Sequence, residues 1–219
     1  MKRSSFSSLY SLCLIIIGFM GLALVSCLGA PTKKNESTSK KEHEVLKTVE
    51  VSTGASIYAL ETPLVDQESK PIGVKIFQGS PVLISMFYGS CGYTCPLLLE
   101  NLKKVDRQLE GDLQKKIRYL LVSFDDVKDT PEELKKLAEK HQLDYERFRL
   151  AHAGEGGVRE IAGVLGIQYR KTPEGGFNHS SLITLLNTKG EIVAQYEGLD
   201  APISSIAEKI KNLSDVLTK

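Results

Sequence analysis

The chain has 219 residues, 28 Lys+Arg against 27 Asp+Glu, 42% hydrophobic residues and no Trp. That length holds one ordinary domain plus an appendage, and a net charge of +1 supplies no global field for a polyanion, so no nucleic-acid partner is expected. The apolar content excludes a largely disordered chain, and four cysteines are too few for a disulfide scaffold.

Lys2 and Arg3 open the chain, and an apolar run follows from Leu12 to Val25. It is shorter than the about 20 residues that a bilayer-spanning helix needs, so it has the form of a signal-peptide core. The run ends in Leu24-Val25-Ser26-Cys27, which resembles the lipobox of bacterial lipoproteins. The resemblance implies cleavage before Cys27 and lipidation of that residue. Residues 1–26 are then a signal peptide, 27–45 the lipidated Cys27 with a flexible tether, and 46–219 the folded domain. Leu28 to Glu44 has almost no apolar residues, as a solvated tether requires, and His43 within it is expected to be solvated. Cys13 leaves with the signal and Cys27 is taken by lipid, so Cys91 and Cys95 are the thiols of a near-neutral mature domain.

Within the domain, Pro81 to Tyr88 is an apolar run of buried-strand length. Leu98, Leu102, Val105 and Leu109 then fall at helical spacing, and Gly111 is expected to close that segment. Ile117 to Ser123 is a second buried strand. Thr130-Pro131-Glu132-Glu133 predicts a helix start, with Thr130 as N-cap, Pro131 in the first turn and Glu133 completing a capping box. Leu134, Leu137 and Ala138 are expected to face the sheet. A short strand over Phe148 to Ala151 precedes a helix carrying Val158, Ile161, Ala162 and Leu165. Ser181 to Leu186 and Glu191 to Tyr196 flank Asn187-Thr-Lys-Gly190 as a hairpin. Ile203, Ile206, Ile210, Leu213 and Leu217 stripe a terminal helix. This order predicts an α/β domain with a central mixed sheet and helices on both faces, and it matches the thioredoxin-like fold.

Cys91-Gly92-Tyr93-Thr94-Cys95-Pro96 lies where the first buried strand gives way to a helix. That point is exposed at the sheet's carboxyl end, and a helix N-terminus there favours thiolate over thiol. On a regular helix, residues four apart have Cβ atoms roughly 5–6 Å apart. A disulfide wants about 3.5–4.5 Å, so bridging needs local unwinding, which Gly92 eases. Two metal–sulfur bonds of about 2.3 Å span the pair with less strain. A structural disulfide, a redox dithiol and a metal site all remain open from the pair alone. A metal site needs another ligand, and His179, after Pro173-Glu-Gly-Gly176 and before a hairpin strand, is the candidate. Two thiolates and an imidazole make a soft three-coordinate set suited to Cu(I), with Zn(II) open if a water joins, and folding is expected to bring the ring into bonding range of the sulfurs. His141 and His152 are expected to be structural or exposed, and Met86 to pack in the core.

Three blocks in order resemble the Sco/SenC family of thioredoxin-like copper proteins. They are the strand leading to Cys91-Gly-Tyr-Thr-Cys95-Pro96, then Ser123-Phe-Asp125-Asp126-Val-Lys-Asp129-Thr130-Pro131, then Asn178-His179-Ser180 with its following strand and turn. The resemblance spans roughly Ser56 to the end and implies copper ligation by Cys91, Cys95 and His179. Asp126 replaces the usual proline, Asn178 stands where aspartate is common, and Gly92 is less typical; none removes a ligand. Asp125 matches an acid near the family site, where tuning a ligand and capping a turn are both open roles.

Together with the lipobox, which implies export and a lipid anchor, this resemblance implies a membrane-tethered copper metallochaperone that binds Cu(I), with Cu(II) as a second guest, and assists assembly of the copper centre of cytochrome c oxidase. Its partners would be a copper-receiving membrane oxidase subunit or another copper carrier, and its domain would lie in the periplasm or outside the cytoplasmic membrane. The alternative is a thiol-disulfide reductase acting on a partner's cysteines, with Cys91 and Cys95 as catalytic residues. A thiol peroxidase is a third role open to related folds.

Overall fold

The structure, a computed structural model, describes residues 48–49, 54–92, 94–197 and 200–217. The expected signal peptide, Cys27 with its lipobox, and the tether with His43 lie outside them. In chain order the elements are β1 (Thr48–Val49), β2 (Leu64–Asp66), β3 (Pro71–Ile72), β4 (Val82–Phe87), α1 (Thr94–Gln108), α2 (Gly111–Lys116) and β5 (Arg118–Ser123). They continue as α3 (Pro131–Lys140), β6 (Phe148–His152), α4 (Gly154–Val164), β7 (Tyr169–Lys171), β8 (Phe177–His179), β9 (Leu182–Leu186), β10 (Ile192–Glu197) and α5 (Ile203–Leu217). Two short 3-10 turns, Ile57–Ala59 and Val74–Phe77, complete the list.

The strand order is β1-β10-β9-β4-β5-β6-β2-β3. β4 pairs parallel to β5 and β5 parallel to β6, while β9, β10, β1, β2 and β3 join antiparallel. The pleat sends alternate residues to opposite faces, and both faces are covered. Leu83 and Phe87 of β4, with Tyr119 and Leu121 of β5, meet α1, α3 and α5 through Leu99, Leu102, Leu134, Ile206 and Ile210. Val82, Ile84 and Met86 point the other way, joining Leu120 and Val122 against α4 and the two 3-10 turns. All six β4 residues are therefore buried, which is why that segment is an unbroken apolar run in the sequence. This is the mixed, two-faced, thioredoxin-like sheet expected.

Local signals explain the edges of several elements. Thr130 Oγ1 accepts the Glu133 N–H at 3.4 Å and Pro131 opens α3, but the Glu133 carboxylate is taken by Lys136 at 2.8 Å. The Asn187 turn closes through Gly190 N–H to the Asn187 carbonyl at 2.9 Å. Other expectations change. Gly111 opens α2 instead of only ending the segment before it, because α1 stops at Gln108 and a short helix with no buried residue follows. His179 does not merely precede a strand: it ends β8, which pairs with β7 in a separate two-stranded ribbon, Tyr169 opposite His179.

Candidate metal and dithiol site

The site begins where β4 leaves the sheet. Phe124 N–H reaches the Phe87 carbonyl at 2.7 Å, keeping the ends of β4 and β5 together. One residue on, the Tyr88 carbonyl accepts the Cys91 N–H at 3.2 Å and closes a tight turn over 88–91. Gly89 N–H is held by Asp129 Oδ2 at 2.7 Å, and the same carboxylate takes the Ser123 hydroxyl. Asp129 is buried, and burial pushes its carboxyl pKa up against the pull of those two hydrogen bonds. Gly89 is required here, since a Cβ would lie 2.6 Å from Asp129 Oδ1. The thiol loop is thus pinned to the start of α3 across the sheet edge.

Cys91 and Cys95 sit in unlike surroundings. Cys91 lies in the loop and is partly exposed, whereas Cys95 is the second residue of α1 and 3% exposed. The pair therefore does not share one regular helix, and the spacing estimate drawn for such a helix does not apply. Cys95 Sγ donates to the Tyr88 carbonyl at 3.1 Å. The first turn of α1 carries no acidic side chain to oppose negative charge on a sulfur.

His179 reaches the same neighbourhood from β8. Its ring lies 4.8 Å from the Phe124 ring and meets Tyr88 edge-on at 5.9 Å. Nδ1 is 3.1 Å from the Ser180 carbonyl, which can only accept, so Nδ1 carries the proton and Nε2 keeps its lone pair for a metal. Phe177 packs on Tyr88 at 5.4 Å and on Phe124 at 5.9 Å, while Lys128 Nζ donates to the Gly175 carbonyl at 3.0 Å. Aromatic stacking and one lysine thereby hold the ribbon against the β4–α1 and β5–α3 loops.

The donor chemistry fits a soft cation: two thiols and an imidazole with its lone pair on Nε2. The distances do not close. Among the described residues no three His, Cys, Asp or Glu side chains gather tightly enough to hold a metal ion. The expected bonding range between ring and sulfurs is therefore not reached, and the Tyr88 side chain is what touches both sides. Its phenol pKa is raised, first by burial and next by a hydrogen bond with Cys91.

The other histidines behave as expected. His141 caps the end of α3, 3.9 Å from Glu100, and His152 ends β6 opposite Val65. Met86 is 2% exposed in the core. Asp125 caps a turn: Oδ1 accepts the Lys128 N–H at 3.1 Å and its carbonyl accepts the Asp129 N–H at 3.0 Å. Sequence reasoning did not single out Tyr88, Gly89 or Asp129. Their roles include contacts across 40 or more positions, Gly89 with Asp129 and Tyr88 with Phe177, and the aromatic spacing of Phe124, Tyr169 and Phe177 was the available hint.

A bacterial homologue, the SCO1 protein homolog of Bacillus subtilis (strain 168), is 23% identical over 153 residues, covering 68% of this chain and 79% of its own. The SCO1/SenC family lipoprotein of Bacillus anthracis superposes with a TM-score of 0.64 at 22% identity, covering 71% of this chain and 94% of its own. ScoI of Bradyrhizobium japonicum, solved with copper bound, gives a TM-score of 0.61 at 23% identity, with 69% and 96% covered. The SCO1/SenC family model matches residues 53–215, all three sequence blocks included, and the chain belongs to that family.

Proposed function

We propose that the protein is a membrane-tethered copper metallochaperone that assists assembly of the copper centre of cytochrome c oxidase. Cys91, Cys95 and His179 hold the cargo, Cu(I) and also Cu(II). The observation that supports this best is that one residue, Tyr88, touches all three donors, through its carbonyl to Cys95, its hydroxyl to Cys91 and its ring to His179. The copper-bound Bradyrhizobium relative supports the choice of metal.

The chain's own residues supply binding and release. Cys91, the more exposed thiol, meets the incoming ion first, and Cys95 gives up the proton it shares with the Tyr88 carbonyl. His179 then adds Nε2, its other nitrogen fixed by the Ser180 carbonyl. Because the imidazole comes from a different element from the sulfurs, an acceptor's thiol or imidazole can displace one ligand at a time. Lipid on Cys27 places the exported domain at a bacterial membrane, on the periplasmic or outer side, and the 27–45 tether raises its effective concentration near a copper-receiving oxidase subunit or another copper carrier. Among the described residues no helix is long and apolar enough to cross a membrane, and the related Bacillus anthracis protein is described as a lipoprotein.

The unequal exposure of the two thiols favours a second role, reduction of a disulfide in the partner. The Cys91 thiolate attacks one partner sulfur and expels the other as thiolate. Cys95, deprotonated, then attacks the Cys91 sulfur, leaving a reduced partner and a Cys91–Cys95 disulfide. Anaerobic Cu(I) titration of the reduced full chain in detergent, read by native mass spectrometry, tests the primary role. One copper per chain that Cys91→Ser and Cys95→Ser abolish is the expected result; no copper uptake by the reduced wild type overturns it.

A further inference from the structure

Tyr88 makes a set of contacts that a core aromatic would not. It follows β4 at the junction of the two hydrophobic cores, packing partly against each. Its carbonyl accepts both the Cys91 N–H at 3.2 Å and the Cys95 thiol at 3.1 Å. Its hydroxyl bonds the Cys91 side chain, and a Cβ built on Gly176 would stand 3.5 Å from that same hydroxyl oxygen. Its ring packs on Phe177 at 5.4 Å and meets His179 edge-on at 5.9 Å. The side chain therefore bridges Cys91 and the His179 ribbon while the three donors remain too far apart for one ion.

We propose that Tyr88 is a positioning residue that gates closure of the site, its side chain bridging Cys91 and the His179 ring until it swings aside and lets the imidazole join the sulfurs. The inference rests on the copper role proposed above. The backbone of Tyr88 is held by both cysteines, so the gate moves by side-chain rotation while the thiol turn stays put. Three contacts oppose the swing: the hydroxyl–sulfur bond, the hydroxyl's bond with the Phe177 backbone, and the ring's packing on Phe177; losing the hydroxyl removes the first two and leaves the third. Partly exposed aromatic side chains change rotamer far faster than elements rearrange, so a side-chain gate limits loading without requiring the sheet to move.

The experiment uses the reduced full chain in detergent as wild type, Tyr88→Phe and Tyr88→Leu. Cu(I) is delivered from its bathocuproine complex in a stopped-flow instrument, and the rate of Cys91 alkylation by iodoacetamide is measured without copper. Tyr88→Phe, which keeps the ring and its packing, should speed both alkylation and copper loading by roughly fivefold through loss of the hydroxyl's bonds to Cys91 and to the Phe177 backbone. Tyr88→Leu should speed loading further, because the ring is gone as well. Wild-type uptake with loading rates unchanged or slowed in both variants overturns the gate and leaves the copper role intact. Unchanged alkylation in Tyr88→Phe overturns the hydroxyl's hold on Cys91 even if Tyr88→Leu fails to fold. No copper uptake by wild type overturns the copper role, and the gate with it.

Discussion

Gly89 and Asp129 should be energetically coupled. The Asp129 carboxylate, 4% exposed, accepts the Gly89 N–H at 2.7 Å and the Ser123 hydroxyl. Its own backbone is fixed by the 3.0 Å bond to the Asp125 carbonyl, so the carboxylate has little freedom to withdraw. A methyl group on Gly89 would stand 2.6 Å from Oδ1 and 3.3 Å from Cγ, and Gly89→Ala should cost about 1–3 kcal/mol as overpacking. Asp129→Ala orphans two donors at about 1–3 kcal/mol each, though Gly89 is only partly buried and can recruit water. Burial also raises the Asp129 pKa, so the wild type already bears a desolvation cost that the variant escapes; the net loss should be about 2–3 kcal/mol. In the double variant the methyl group meets no carboxylate, and the combined loss should fall short of the sum by about 1 kcal/mol. Urea unfolding of the four proteins measures this. Losses that add within about 0.5 kcal/mol would refute the pinning of the thiol loop by Asp129.

Three further outcomes follow from the geometry. His179→Ala should weaken copper binding by orders of magnitude yet leave Cys91–Cys95 redox cycling largely intact, as competition with a Cu(I) chelator and a glutathione redox titration will show; equal loss of both contradicts the separate roles. Gly190 sits at φ +78°, and a Cβ there would lie 2.6 Å from Tyr58 Cδ2, so Gly190→Ala should lower stability by about 2–4 kcal/mol in urea melts; a change under about 0.5 kcal/mol contradicts this. Burial holds His141 below the usual 6.5, with Lys103 and Lys140 acting the same way and Glu100 opposing them. Its neutral form is favoured by folding, so its contribution is full above pH 6.5 and lost as pH falls through the lower folded-state pKa. His141→Gln should therefore reduce the stability lost between about pH 7.5 and 5, and an unchanged pH profile contradicts the assignment.

The parts of the molecule that were legible in sequence are those governed by local rules. β4 and β5 announced themselves as continuous apolar runs because both faces of the sheet are covered. Thr130-Pro131 marked α3 through capping chemistry, and Asn187 to Gly190 marked a turn. The β2–β3 hairpin escaped because strands of three and two residues are too short to show a period. The β7–β8 ribbon escaped for the same reason, although it carries His179. α2 has no buried residue, so no apolar stripe could reveal it. At the site, the cysteines and His179 stood out by type and motif. Tyr88 did not, because its role depends on side chains that folding brings from 89 and 91 positions further on. Asp129 likewise lies in the Ser123 to Pro131 motif, but its hold on Gly89 is a tertiary contact that one-dimensional spacing does not reveal.

X-ray absorption at the copper edge, on the full chain loaded with Cu(I) and on its His179→Ala variant, tests the central claim most directly. Two sulfur neighbours at about 2.3 Å and one imidazole nitrogen are predicted for wild type, with the nitrogen shell lost in the variant. An imidazole signal that persists without His179, or a wild-type shell with sulfur alone, would contradict the assignment of Cys91, Cys95 and His179 as one copper site.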